Sequence, residues 1–284
     1  NFKIAEKLYK KILSVNPDHF RSIFLLGSLS AQIKNLDSAK QLLQKAIQIN
    51  SNYEEAHYNL GNVLVELGET QEAFNCFKKT IQINPNNFDA HNNLGNLLKE
   101  SGKIHDAVAC YKKAIEINPD YVNAHNNLGT MFQKSKNFQE AINCYKKAVK
   151  LLPNFASAHN NLGLIFHELE EYQEAIKSYG KAIEIKPELA EAHSSLGKLF
   201  IQLGEFEKAK NYFNKATKYE PEDLVSFYIL SELKEDILDS ELQNKIIKII
   251  NNDNCTKKNL AYGNFLLSIY ALKKKIMKKN LIIY

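Results

Sequence analysis

The chain has 284 residues, 44% of them hydrophobic and 24% charged, enough apolar surface to build a core and too much for a disordered polymer. Its formal charge of +5 is local. Seven lysines (Lys257, Lys258, Lys273, Lys274, Lys275, Lys278 and Lys279) follow the last acidic residue, Asp253, and without them 30 basic residues face 32 acidic ones. A near-neutral body lacks the positive track of a nucleic-acid binder, so nucleic acid is not an expected partner, and the lysine tail reads as a solvated end rather than a lipid or nucleic-acid surface.

No run of about eighteen apolar residues marks a membrane span. The start, Asn-Phe-Lys-Ile, shows neither Met nor an apolar leader core. Cys76, Cys110, Cys144 and Cys255 form no C-x-x-C pair. A reduced cytoplasmic protein without metal or cofactor is the expectation.

In chain order, one punctuation governs. Pro17, Pro85, Pro119, Pro153, Pro187 and Pro221 step by 34 residues with Ser51 in the one missing place, and Gly27, Gly61, Gly95, Gly129, Gly163 and Gly197 keep the same step. So do Ala39, Ala73, Ala107, Ala141, Ala175 and Ala209. Such a period predicts tandem helix-turn-helix units. Residues 1–19 supply only a second helix, with Ala5 and Tyr9 in register, so the chain reads as truncated upstream. Six units follow at 20–53, 54–87, 88–121, 122–155, 156–189 and 190–223. Residues 224–257 form a degenerate seventh unit, with Ser231 in the glycine place and a second helix near Ser240–Ile250. Residues 258–284 form a C-terminal helix with Leu260, Leu267 and Ile269, which reads as an unfinished repeat bearing the basic tail. Its apolar end, Leu281-Ile282-Ile283-Tyr284, suggests missing sequence or docking onto preceding helices.

The unit 88–121 shows the local logic. Ala90, Leu94, Leu97 and Leu98 recur at helical spacing, Ser101-Gly102 interrupts, and Ala107, Cys110, Tyr111, Ala114 and Ile115 form a second stripe. Asn118-Pro119 ends it, because proline lacks an amide donor and disfavours helix in the residue before it. Gly95 and Ala107 are expected at the crossing of the two helices, where a large side chain in place of Gly95 costs about 1–3 kcal/mol.

These residues resemble the tetratricopeptide repeat family. The unit from Glu54 matches with His57, Leu60, Gly61, Leu64, Gly68, Ala73, Phe77 and Pro85. That from Phe88 matches with His91, Leu94, Gly95, Leu98, Gly102, Ala107, Tyr111, Ala114 and Pro119, and the units from Val122, Ala156 and Ala190 repeat the pattern. One departure is systematic: His takes the place of the usual aromatic at the fourth position. The resemblance implies an all-α fold, a right-handed superhelical α-solenoid whose first helices line a concave surface, and a protein or peptide ligand.

Three recurrences are candidates for chemistry. His57, His91, His125, His159 and His193 recur once per unit, and equivalent residues of stacked helix pairs lie roughly 10 Å apart, whereas zinc ligands sit about 2 Å from a shared ion. They are expected to pack with one ring nitrogen hydrogen-bonded, with a modest loss of helix below about pH 6 as the alternative. Cys76, Cys110 and Cys144, also one per unit, cannot readily pair over that spacing and read as small buried hydrophobes. Asparagines recur on the first helices, and Asn59, Asn62, Asn92, Asn93, Asn96, Asn126, Asn127, Asn160 and Asn161 are the candidate peptide-binding residues. Primary amides each offer a donor and an acceptor to an extended backbone without reading its sequence. The row is similar to that of the repeats of O-linked N-acetylglucosamine transferases; capping or solvation is its plainer use. Glu55, Asp89, Glu191, Glu66, Glu100 and Glu168 mix with Lys99, Lys134, Lys198 and Gln133, so neither sign dominates the face. The carboxylate clamp of chaperone-tail adaptors is not expected, because Tyr58 and Asn92 stand where that clamp has lysine.

No phosphate loop, nucleophile elbow or H-E-x-x-H motif occurs, so no catalytic residue is expected. Two functions fit: a non-enzymatic scaffold holding an extended peptide in an Asn-lined concave groove, or the substrate-recruiting arm of a larger transferase, of the glycosyltransferase or sulfotransferase kind.

Overall fold

A computed structural model describes residues 2–233 and 239–281, with side chains as far as Leu272. Among the described residues there are sixteen helices and no strand. The last three residues, Ile282-Ile283-Tyr284, of the apolar end lie outside the described residues, as do the side chains of Lys273, Lys274, Lys275, Lys278 and Lys279.

The helices fall into two units. The first, Asn1–Leu151, holds α1 (Phe2–Val15), α2 (Phe20–Gln32), α3 (Leu36–Ile49), α4 (Glu54–Glu66), α5 (Thr70–Ile83), α6 (Phe88–Glu100), α7 (Ile104–Ile117), α8 (Val122–Lys134) and α9 (Phe138–Leu151). The second, Leu152–Tyr284, holds α10 (Ala156–Glu168), α11 (Tyr172–Ile185), α12 (Ala190–Gln202), α13 (Phe206–Tyr219), α14 (Leu224–Leu233), α15 (Ser240–Ile250) and α16 (Lys257–Leu281). Within the first unit α2 packs on α3, α4 on α5, α6 on α7 and α8 on α9, while each second helix also leans on the first helix that follows.

The pair α6–α7 explains why the sequence folds this way. Asn87 caps α6, its side-chain oxygen accepting from the Ala90 amide at 2.7 Å, which satisfies a donor that the helix itself leaves open. At the other end the Lys103 amide donates to Leu98 (2.9 Å) and the Gly102 amide to Lys99 (3.1 Å). That pattern reverses the chain through a residue at positive φ, here Gly102 at 74°. The same reversal is built on Lys34, Lys136 and Glu170 in other pairs, at φ of 63°, 59° and 60°.

The close contact sits at the crossing. A Cβ placed on Gly95 would stand 2.7 Å from Cε1 of Tyr111, and the pairs Gly61–Phe77, Gly129–Tyr145, Gly163–Tyr179 and Gly197–Phe213 repeat the geometry. Each ring therefore lies flat over a glycine of the partner helix. Tyr111, Tyr145, Tyr179, Phe77 and Phe213 are fully buried, as are the six alanines of the 34-residue register. Gly27 is the variant, facing Leu42 and Leu43 in place of a ring.

The second unit departs from the pattern at its end. Asp239 caps α15 through the Leu242 amide at 2.7 Å, and both α14 and α15 pack on α16. Ser231 occupies the glycine place of α14, and close approach is supplied instead by Gly263 of α16, whose added Cβ would meet Ile250 at 2.4 Å and Leu224 at 2.9 Å. Leu224, Leu242, Ile246 and Leu266 form the core there.

The same substitution has opposite signs at two glycines. Gly95→Ala forces the Tyr111 ring aside and lowers stability by about 1–3 kcal/mol. Gly180→Ala, mid-helix in α11 with nothing within 4 Å of the new methyl, raises it by about 0.5–1 kcal/mol. Urea unfolding followed by circular dichroism measures both, and equal effects would refute the ring-over-glycine account.

Candidate functional site

The histidines are held locally. In each case Nε2 donates to a backbone carbonyl six residues earlier: His57 to Ser51 (2.9 Å), His91 to Pro85 (3.0 Å), His125 to Pro119 (2.8 Å), His159 to Pro153 (3.0 Å) and His193 to Pro187 (2.8 Å). One ring nitrogen is thus engaged, as a packing role requires, and each imidazole ties the start of a first helix to the turn that precedes it. His193 is 2% exposed and its Nδ1 has no partner among the described residues. Burial holds its pKa below the ordinary 6.5, against an upward pull from the Pro187 carbonyl. A depressed folded pKa makes the neutral ring the stabilising form. The contribution is complete above about pH 6.5 and is lost as pH falls toward the folded value, because the unfolded chain takes up the proton first.

Cys76, Cys110 and Cys144 are half-buried rather than buried, a correction to their reading as core residues. They sit beside the fully buried ring position on the second helix, one step round toward the surface. Burial still pushes their thiols up to about 11, which leaves them protonated and unreactive near neutrality.

The asparagine row is assembled on the first helices and is bonded to itself. Asn93 Nδ2 donates to Asn62 Oδ1 at 2.9 Å and to the Tyr58 hydroxyl at 3.4 Å. One repeat on, Asn127 Nδ2 donates to Asn92 Oδ1 at 2.9 Å and to Asn96 Oδ1 at 3.2 Å. At the near end Asn59 Nδ2 donates to Ser28 Oγ at 3.0 Å. Each amide nitrogen therefore reaches sideways to the preceding first helix, and both N–H groups of Asn93 and of Asn127 are spent within the row. The Asn96 amide nitrogen, and the Oδ1 atoms of Asn59 and Asn127, form no hydrogen bond among the described residues. A cleft of about 270 Å³ opens at this end, lined by Ser28, Gln32, Asn59, Asn62 and Glu66 among others.

Two of the nine candidates do not line a surface. Asn92 is 4% exposed and Asn160 is 1% exposed. A residue one step before the row is rotated about 100° around the helix axis, which turns these side chains inward. Asn126 and Asn161 are half-buried and engaged.

Sequence reasoning did not foresee what supports the row from behind. The Tyr111 hydroxyl, carried through the core over Gly95, donates to Asn96 Oδ1 at 2.8 Å. The Tyr145 hydroxyl reaches Thr130 at 3.2 Å and Gln133 at 3.0 Å. The available signal was tyrosine where other repeats carry phenylalanine, since a buried phenol requires a partner. The charges of the face are likewise partly spent, Lys34 pairing with Glu66 at 2.7 Å.

Comparisons with known proteins follow from this geometry. A family described as TPR repeat matches residues 27–68, 61–102, 95–136, 131–170 and 163–204, and one described as tetratricopeptide repeat matches 190–223. A search of curated proteins found no match. Among solved structures, YrrB, described as a TPR protein with an unusual peptide-binding site, is 24% identical with a TM-score of 0.54, over 65% of this chain and 95% of its own. MamA is 29% identical with a TM-score of 0.51, over 57% of this chain and 95% of its own. PilF of Pseudomonas aeruginosa is 21% identical with a TM-score of 0.66, over 75% of this chain and 97% of its own. Among the described residues no helix is long and apolar enough to cross a membrane.

The buried imidazole yields a pH test. The urea midpoint of the intact chain falls between about pH 7 and pH 5 by more than that of His193→Gln, which cannot titrate. Parallel pH profiles would remove His193 as the source.

Proposed function

The chain belongs to the tetratricopeptide repeat family, and from that premise we propose that it is a non-enzymatic scaffold whose first-helix face holds an extended polypeptide. The observation that carries the reading is the lateral bonding of the amide row. Because Asn93 and Asn127 donate to the preceding helix, the amides are fixed in orientation before any ligand arrives, so less side-chain freedom is lost on binding. The groups left over alternate in kind: the Oδ1 atoms of Asn59 and Asn127 accept, and the Asn96 amide donates. An extended backbone presents N–H and C=O groups in alternation and can meet both. The side chains of such a ligand are not read by this row, so affinity is spread along its length.

YrrB carries a peptide-binding site on a similar array, and peptide capture by this chain is in keeping with that use of the fold. The row also suits a second setting, the substrate-recruiting arm of a larger transferase, in which the same face would deliver a polypeptide to a catalytic segment. Native mass spectrometry of the protein from its own cells separates the two, since a mass matching the 32.5 kDa of this chain excludes the arm.

The row itself is tested by combining Asn59→Ala, Asn93→Ala and Asn127→Ala, with Asn75→Ala on α5 as control. For peptides selected on the intact chain from a displayed random library, the triple variant loses at least about tenfold in affinity. Helical content stays and the melting midpoint drops modestly, because each lateral hydrogen bond contributes about 1 kcal/mol. Undiminished affinity in the triple variant would sink the proposal.

A further inference from the structure

The first helix carries a face that no described element covers. α1 packs on α2, with Leu13 against the cluster of Ile23, Ala46 and Ala56 and with Ala5 and Tyr9 half-buried on the same side. Beside them Ile4, Leu8 and Ile12 form a stripe that is 55%, 56% and 42% exposed. Lys3, Lys7 and Lys11, each one position earlier, run parallel to it, turned about 100° around the axis. All three are exposed, and no ion pair among the described residues includes them, whereas Lys10 pairs with Glu6 at 2.6 Å. An exposed apolar stripe bordered by uncompensated cations is the face of a contact helix.

The second unit carries the complement. Leu169 caps the end of α10, Leu203 caps that of α12 and Phe206 opens α13, and all three are exposed. Leu203 and the turn residues Glu170, Glu171, Tyr172, Gln173 and Glu174 line one cleft of about 420 Å³. Its tyrosine is held in place, because Gln202 Nε2 donates to the Tyr172 hydroxyl at 2.8 Å and His167 Nε2 donates to Gln202 Oε1 at 2.8 Å. Glu174 lies 3.8 Å from Lys177, and Glu205 and Glu207 pair with Lys208 and Lys210. Glu170 and Glu171 enter no ion pair among the described residues. The corresponding turns of the first unit have the other sign, with Lys34, Lys103 and Lys136, and their one acid, Glu69, pairs with Lys40.

We propose that α1 of one copy of the chain lies across the α10–α11 and α12–α13 turns of a second copy. Ile4 and Ile12 are about 12 Å apart along α1. Leu169 and Leu203, at one place in successive repeats, are roughly 10 Å apart, the separation of packed helices. Leu8 then falls over the cleft between the two leucines, while Lys7 and Lys11 meet Glu170 and Glu171. Burial of the two apolar surfaces drives the contact, and the charges orient it and exclude the basic turns of the first unit. Because the two surfaces differ, each pairing leaves one of each unused, and the contact extends into a chain of copies or closes into a ring. One helix face is a small interface, which makes the association weak and reversible.

Sedimentation velocity of the intact chain over a concentration series tests the contact. The weight-average mass is expected to rise above 32.5 kDa with concentration, and the rise shrinks with added salt because the paired charges are exposed. Leu8→Asp, the pair Lys7→Glu and Lys11→Glu, and the pair Glu170→Lys and Glu171→Lys each weaken self-association at least about tenfold. Helical content by circular dichroism is unchanged, since every site is exposed and the backbone of Glu170 is one that lysine adopts at Lys34 and Lys136. Mixing the two charge-reversed chains restores the association that each has lost, as acidic α1 then meets basic turns and basic α1 meets acidic ones. An intact chain that stays at monomer mass, variants that self-associate as it does, or a mixture that stays monomeric would overturn the proposal. A monomeric intact chain that sediments with phosphatidylserine vesicles, and no longer does so with Lys7→Glu and Lys11→Glu, would assign α1 to an anionic lipid surface instead.

Discussion

A ring laid over a glycine is the contact on which the rest depends. In five helix pairs an aromatic side chain of the second helix occupies the space a Cβ would need on the first. Interiors are packed to crystalline density and do not absorb an extra methyl without displacement. The contact therefore fixes how closely the two axes approach, and with it the rotation of the first helix about its own axis. That rotation decides which residues of α4, α6 and α8 face outward in the first unit. In α7 and α9, where the ring is tyrosine, the contact also delivers a hydroxyl to the far side, to Asn96 from Tyr111 and to Thr130 and Gln133 from Tyr145. Core and face are thereby joined by single side chains.

The fold was legible in the sequence because three residue types with unrelated physical duties share one period. Proline ends helices, glycine admits rings and alanine fills crossings, so their coincidence at 34 residues leaves little freedom. The histidine role was legible for a related reason: the carbonyl it engages lies only six residues back in the chain, in the turn that closes the preceding repeat. The asparagine row was legible only in part. Helical spacing places Asn59, Asn93 and Asn127 on equivalent positions, but whether their amides point to solvent or to one another depends on the separation of neighbouring first helices, a quantity no single repeat encodes. Asn92 and Asn160 were misplaced for the same reason, since adjacency in sequence to the row says nothing about which neighbour covers them. Cys76, Cys110 and Cys144 emerged half-buried because they border the ring position rather than share it.

The end of the second unit shows the rule by its absence. With Ser231 in place of glycine, α14 cannot receive a ring as α12 receives Phe213 over Gly197. Close approach moves to Gly263, on a helix of 25 residues that packs against both α14 and α15. Asn259 ties the arrangement together, its Nδ2 donating to the Glu222 carbonyl at 2.8 Å and its Oδ1 accepting from the Leu224 amide at 3.3 Å. The glycine that admits close approach here lies on the third helix, and pairwise stacking gives way to a three-helix cluster.

The turns between paired helices carry a last consequence. Among the described residues six reversals use a residue at positive φ, and three of them, at Lys34, Lys136 and Glu170, use a side-chain-bearing residue where glycine sits at Gly68, Gly102 and Gly204. Left-handed backbone costs a residue with a Cβ about 1–2 kcal/mol. In an array whose stability is a sum of local terms, such penalties are not averaged away. They lower the work of separating one helix pair while its neighbours stay closed, so the chain carries a graded series of weak and strong seams, written in which turns have glycine and which do not.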